Sequence, residues 1–195
     1  MDLYDLCTQT REGLRVELAP LATDEADRVY ELCQDADIQR WTTVPSPYKR
    51  KDARQFVGEY TVAAWQEIES GVFSAAKAGP ELVWGVGVAG DTPLAGLWGC
   101  VGLKRLGAAR YEIGYWLGAG ARGHGIMRAA VVKVLEAAKE APLAACEVWW
   151  HALVGNVPSA RVAKAAGFGF MGVTTIPMHG DAPVWAGVLR YGLAV

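Results

Sequence analysis

The sequence predicts a single domain of mixed α/β topology, and three observations carry that expectation. Of its 195 residues, 52% are hydrophobic and 21% charged, apolar mass that fills one core better than two. Some segments alternate apolar and polar residues at period two while others repeat them at helical spacing, so strands and helices are both required. Gly- and Pro-rich punctuation divides them into the order β-α-α-β-β-β-β-α-β-α-β-β. Residues 1–13 read as a polar lead and 14–195 as the domain.

Leu14 to Leu21, LRVELAPL, has the alternation of a half-buried strand. Thr23 or Asp24 is then placed to cap a helix with Ala26, Val29, Tyr30 and Cys33 on one side. The segment IQRWTTVPSPYKRK, from Ile38 to Lys51, holds two prolines and reads as a loop. Asp52 is placed to cap a second helix, on which Phe56, Val57, Tyr60, Ala63 and Ala64 recur until Ser70-Gly71 stops it. Three strand-like runs follow, Val72 to Ala78, Leu82 to Ala89 and Leu94 to Leu103, joined as an antiparallel meander through G-P and G-D-T-P turns.

Tyr111 to Leu117, YEIGYWL, is a further strand that leads into GAGARGHG and a long helix burying Ile126, Ala130, Val131, Val134, Leu135 and Ala138. Pro142 ends it. Cys146 to Leu153 is another apolar strand, and a short helix from Val157 to Ala166 stops at Gly167. Phe168 to Ile176 and Val184 to Leu193 close the chain as strands.

Composition excludes several functions. Lys plus Arg number 19 against 21 Asp plus Glu, a net charge of -2 without runs of like charge, so the basic footprint of a nucleic-acid binder is missing. No stretch reaches the roughly 18 to 20 consecutive apolar residues of a membrane span, and the acidic start lacks the pattern of a secretory signal. A soluble, cytoplasmic protein without nucleic-acid or membrane partner is expected. Cys7, Cys33, Cys100 and Cys146 lie far apart, as do His124, His151 and His179, so neither a metal site nor a disulfide framework is expected. Reduced, mostly buried thiols are the expectation. Cys146 starts an apolar strand with no His beside it, which points to packing rather than to an acyl-carrying nucleophile.

The pattern G-x-G-x-x-G occurs at Gly85 to Gly90, Gly118 to Gly123 and Gly167 to Gly172, but with 23 glycines in the chain a bare match carries little weight. Only the second follows a strand and opens a helix. A dinucleotide fold would also need an acidic residue about 20 positions on, at the end of the next strand, where this chain has His151, Ala152 and Leu153. What remains is an anion site at a helix start. Gly123 and Gly125 let successive backbone N–H groups crowd around a phosphate, the helix dipole adds partial positive charge, and Arg122 and His124 add side-chain donors.

The run Arg122-Gly123-His124-Gly125-Ile126-Met127 resembles the Arg/Gln-x-x-Gly-x-Gly/Ala pyrophosphate loop of the GCN5-related N-acetyltransferase (GNAT) superfamily, which binds acetyl-coenzyme A. Met127 at its last position resembles the Rim-type branch, the ribosomal-protein N-terminal acetyltransferases. Further matches to that branch are Ile38-Gln-Arg-Trp41 with Val44-Pro-x-Pro-Tyr48, Glu112-Ile-Gly-Tyr-Trp-Leu117, and Asn156-x-x-Ser159 followed by Ala166-Gly167-Phe168. The resemblance spans about residues 14 to 176. It implies a twisted mixed sheet flanked by helices, in which the family's fourth and fifth strands, here Tyr111 to Leu117 and Cys146 to Leu153, splay apart. The pantetheine arm would pair with the backbone of the first of these, near Trp116 and Leu117, as an added pseudo-strand.

Acetyl transfer from a thioester to an amine needs mostly positioning, a base for the ammonium proton, a proton donor for the leaving thiolate and an N–H for the oxyanion. Glu112 is the first candidate for base, directly or through a water; its structural alternative is pairing with Arg110. Asn156, the only asparagine, suits a helix N-cap and could also bind the cofactor arm, while Ser159 could donate to the leaving sulfur. Many members of the superfamily carry a tyrosine acid seven positions after that asparagine, and here the position is Ala163. Tyr111 and Tyr115 share a face with Ile113, which suggests core. Trp41 and Tyr48 are placed near the acceptor.

The resemblance thus implies an acetyl-coenzyme A-dependent N-acetyltransferase working by direct attack in a ternary complex. A protein N-terminal amine is the favoured acceptor, with a small-molecule amine or antibiotic as the alternative and a non-catalytic acyl-coenzyme A sensor as the reading of another class. A homodimer is compatible with the family, through terminal strands such as Val184 to Leu193.

Overall fold

The computed structural model describes residues 2–191. Its strands are β1 (Leu6–Gln9), β2 (Arg15–Pro20), β3 (Ala78–Ala89), β4 (Gly96–Gly107), β5 (Arg110–Leu117), β6 (Glu147–Leu153), β7 (Gly169–Thr174) and β8 (Val184–Arg190). The helices are α1 (Ala26–Leu32), α2 (Ala36–Trp41), α3 (Arg50–Gln55), α4 (Val62–Glu69), α5 (Ile126–Ala138) and α6 (Val157–Ala165). All eight strands form one sheet in the order β1-β2-β3-β4-β5-β6-β8-β7. Every pairing is antiparallel except that of β5 with β6, which is parallel because α5 carries the chain back across the sheet.

Alternation along the central strands sends side chains into two cores. Leu82, Trp84, Val86, Val101 and Leu103 face the side covered by α5, where Ile126, Val131, Val134 and Leu135 pack. Val83 and Cys100 face the other side, against Val29, Cys33, Ile38, Ala53 and Val57 of the α1 to α3 layer. Both faces of β3 and β4 are therefore largely covered, which explains their nearly continuous apolar runs.

Several elements depart from the sequence expectation. Residues 6–9 of the polar lead pair with β2, driven by burial of Leu3 and Leu6; four residues are too few for periodicity to show. Ile38 to Trp41, the start of the segment read as loop, belong to α2, which begins at Ala36 because the Asp35 carboxylate caps the amides of Asp37 and Ile38. Neither Thr23 nor Asp24 caps α1. A turn of 3-10 helix over Thr23–Glu25 precedes it, and the Ala22 amide donates to Glu25 instead.

The second helix starts at Arg50, where Asp52 accepts from the Lys49 amide, and is split between α3 and α4 by a π turn at Phe56–Tyr60. Val72 to Ala78 is not a strand. Gly79-Pro80 is not a turn either: β3 begins at Ala78 and passes through it with a register shift, the missing side chain at Gly79 giving room to Arg105, whose Nη2 lies 1.6 Å from where a Cβ would stand. At the far end β8 lies between β6 and β7 with both edges occupied, so Val184 to Arg190 is unavailable for pairing with a second copy; Leu193 lies outside the described residues.

The cysteines divide evenly, Cys33 and Cys100 buried and Cys7 and Cys146 exposed, so the expected burial holds for two. Burial pushes the Cys33 thiol up to about 12 and the Cys100 thiol well above its ordinary value. Iodoacetamide at pH 8 on the folded protein should therefore alkylate Cys7 and Cys146 and spare the other two until denaturant is added. Peptide mapping reads this directly, and early labelling of Cys100 would contradict the packing described.

Candidate active site

β5 and β6 are hydrogen-bonded partners only from Arg110 opposite Glu147 to Ile113 opposite Trp150. Beyond that point β5 stays on β4 as far as Leu117, and β6 stays on β8 as far as Leu153. The facing edges of Gly114–Leu117 and His151–Leu153 are thus left unpaired with each other. The first turn of α6 bridges the two strands beside this fork. Trp150 of β6 donates its indole N–H to Ser159 Oγ at 3.0 Å, and Tyr115 of β5 donates its hydroxyl to the Ser159 carbonyl at 2.9 Å. A cavity of about 670 Å³ opens along the fork, a volume suited to a small organic ligand.

At its narrow end Glu112 and His151 meet, Oε1 to Nδ1 at 2.9 Å, one side chain from each strand and both mostly buried. Glu112 therefore pairs with His151 and not with Arg110. Asn156 caps α6, its Oδ1 accepting from the Ser159 amide at 3.2 Å, and both residues line the cavity. Ser159 Oγ, which accepts from Trp150, lies 3.2 Å from the Tyr115 hydroxyl. Tyr115 shares its strand face with Tyr111 and Ile113 as expected, but only those two are core; β6 has diverged by position 115, leaving that ring to line the cavity. Burial still pushes its phenol up.

The glycine turn follows β5. Ala119–Ala121 make one 3-10 turn, then Gly123 and Gly125 take left-handed backbone angles, φ +88° and +72°, that turn the chain into α5. Among the described residues, no backbone carbonyl accepts from the amides of Gly123, His124, Gly125, Ile126 or Met127. The Ile126 and Met127 side chains point into the core, so the loop presents bare N–H groups at a helix start.

The Arg122 guanidinium is held by Asp35 at 3.0 Å, Asp37 at 3.2 Å and the Leu117 carbonyl at 3.0 Å, which ties the loop to α2. Although burial alone would raise it, Arg122 with the Asp37 and Ile38 amides holds the Asp35 carboxyl below its ordinary value. His124 leans toward Glu12 at 3.6 Å.

Trp41 and Trp116 line the cavity, and Tyr48 closes its floor from the α1 to α3 core. Trp41 lies against Gly155, where a Cβ would come within 3.3 Å of the indole, and the Arg40 guanidinium stacks over the ring at 4.6 Å from its centroid. Leu117 contributes backbone only, its side chain packing on the core. Sequence reasoning missed His151, Tyr115, Tyr60 and Glu81, which all line the same cavity.

Residues 15–169 match the family described as "Acetyltransferase (GNAT) domain". The chain belongs to the GNAT acetyltransferase family: it is an N-acetyltransferase and acetyl-coenzyme A is its acetyl donor. The residues present fit that donor, since a fork with unpaired edges ends in a turn of unpaired amides. A search of curated proteins finds no match.

Solved structures share the fold at low identity. The GNAT acetyltransferase of Bacillus anthracis is 16% identical, with a TM-score of 0.73 over 95% of this chain and 98% of that one. The ribosomal-protein-S5-alanine acetyltransferase of Vibrio fischeri is 14% identical, with a TM-score of 0.70 over 95% and 97%. The microcin C7 self-immunity acetyltransferase MccE, solved with acetyl-CoA and AMP, is 17% identical, with a TM-score of 0.71 over 90% and 92%. Among the described residues, no helix is long and apolar enough to cross a membrane.

Proposed function

We propose that the acceptor is the N-terminal amine of a protein or peptide and that transfer is direct, within a ternary complex. The observation that carries this reading is the fork itself: its closed end holds a Glu-His pair and its wide end is an open cavity under Trp41. The likeness to the S5-alanine acetyltransferase supports the acceptor class.

When bound, acetyl-coenzyme A supplies an activated thioester. The chain's own residues do the rest. The amides of Gly123 to Met127 and the dipole of α5 hold the diphosphate, while the unpaired edge of Gly114 to Leu117 offers the backbone groups that an amide-bearing arm satisfies. A terminal ammonium has a pKa near 8, so its proton must leave before the nitrogen can attack. Glu112 and His151 form the unit that takes it, each fixing the orientation of the other. Ser159 Oγ accepts from Trp150, which leaves its own proton for Tyr115 or for an atom in the cavity. That hydroxyl takes over the acid's task, which Ala163, a buried methyl side chain on α6, cannot perform.

The test is a screen of peptides and small amines with acetyl-coenzyme A, reading both free thiol release and a mass gain of about 42 daltons, the increment of one acetyl group. Amine-dependent thiol release with acetylated peptide N-termini is expected. Tight binding of the donor without it would mark a sensor and overturn the reading.

Gly125 offers a separate check on the phosphate turn. Gly125→Val puts a β-branched residue at φ +72° and moves the amides beside it, so KM for acetyl-coenzyme A should rise about tenfold or more with kcat largely kept. An unchanged KM would remove this turn from donor binding.

A further inference from the structure

Glu81 has no part in the mechanism above, yet its side chain reaches the cavity by a route built for it. It stands on β3 opposite Lys104 of β4, which in turn stands opposite Glu112 of β5. From there the side chain lies flat across Gly102: a Cβ at that position would stand 1.9 Å from Glu81 Oε1. One strand further on, a Cβ at Gly114 would stand 3.9 Å from the same oxygen. Two glycines on neighbouring strands thus form a trough that delivers a carboxylate to the first unpaired residue of the fork. The Tyr60 hydroxyl donates to Oε2 at 2.6 Å and fixes the group, while Oε1 accepts no hydrogen bond among the described residues.

We propose that Glu81 determines acceptor specificity by pairing with a second positive charge on the acceptor, one that stays charged while the neighbouring amine is acetylated. This rests on the reading of the fork as the site of acetyl transfer. The reacting nitrogen must become neutral, and the Glu112–His151 pair serves it; a carboxylate without proton-transfer duty is of use to a charge that persists. The rest of the cavity agrees. Asp52, Glu59 and Glu112 also line it, and among the described residues no Lys or Arg does.

Lys104, the nearest cation in the row, forms no ion pair within 4.0 Å among the described residues, so it does not occupy the carboxylate. Burial raises the Glu81 carboxyl and Glu112 adds to this, outweighing the lowering by Tyr60 and Lys104, so the group gains most from a partner cation. The chemistry fits a peptide with a basic residue next to its N-terminus or a free diamine.

The experiment measures kcat/KM on the full chain for two matched pairs: 1,5-diaminopentane against pentylamine, and a peptide with Lys in second place against the same peptide with norleucine there. The charged member should be preferred on the order of tenfold in one pair or both, and which pair shows it identifies the source of the charge. Glu81→Gln should bring that ratio close to one and Glu81→Asp restore part of it. Gly102→Val keeps the carboxylate but fills its trough, so it should lower the ratio as well, with thermal melting confirming the fold. The preference should weaken as pH falls, because this carboxyl protonates at a higher pH than an ordinary one. Ratios near one in the native protein, or a ratio unmoved by Glu81→Gln, overturn the proposal while leaving acetyl transfer intact; the absence of acetylation on any acceptor overturns the underlying reading and this one with it.

Discussion

Glu112→Gln should lower kcat by a factor on the order of 10² to 10³ while changing KM for acetyl-coenzyme A little. The amide keeps the size of the carboxylate and can still hydrogen-bond His151, so the fold is retained and the loss falls on proton removal. Because Glu112 and His151 touch at 2.9 Å across the fork, they act as one unit. The double variant Glu112→Gln, His151→Asn should then be about as slow as the worse of the two single variants, whereas independent roles would multiply their effects. Native turnover in Glu112→Gln would remove the pair from the chemistry and leave it as a clip holding two strands at their point of divergence.

That pair also marks the boundary of what the sequence alone reveals. Gly123, Gly125 and the start of α5 are neighbours in the chain, so their combined meaning can be read locally: left-handed backbone, a helix start and bare amides fall within a few residues. Glu112 could be singled out because it lies on a strand next to that turn. His151 could not. Its role arises only when β6 is set parallel to β5 and then diverges, a relation between segments almost 40 residues apart.

Tyr115 shows the same limit from the other side. Period-two alternation assigns it correctly to the face of Tyr111 and Ile113, but whether a residue on that face is covered depends on where the neighbouring strand leaves. Glu81 carries no local signal at all, since its reach depends on the side chains missing at Gly102 and Gly114 on two other strands. Short elements hide for another reason. β1 has four residues and α2 six, less than two full turns of helix, so neither displays a period; only Asp35 as a cap announces α2.

The close pairing of β4 with β5 leads to the second large effect, at Gly99. This residue stands opposite Leu117, and a Cβ there would lie 2.2 Å from the Trp116 carbonyl oxygen and 3.1 Å from the Leu117 Cα. Those are backbone atoms, which cannot rotate aside as the end of a side chain can. Gly99→Ala must therefore push the end of β5 away from β4, and the space on the other side of that strand is the fork. The displacement should cost about 1 to 3 kcal/mol of stability. For a chain of this size that is roughly 3 to 10 °C in Tm, read by thermal melting. It should also narrow the slot and shift the carbonyl of Leu117 that holds Arg122, so donor affinity should fall at least tenfold by calorimetry, more than overpacking elsewhere in the sheet would produce. Gly58→Ala is the matched control: a Cβ there meets nothing within 4 Å and no left-handed angle is involved, so it should leave both quantities near their native values. If Gly99→Ala melts with the native protein and binds the donor as tightly, β4 can yield instead, and the fork's width is set by the α6 clamp at Ser159 rather than by the packing of β5 on β4.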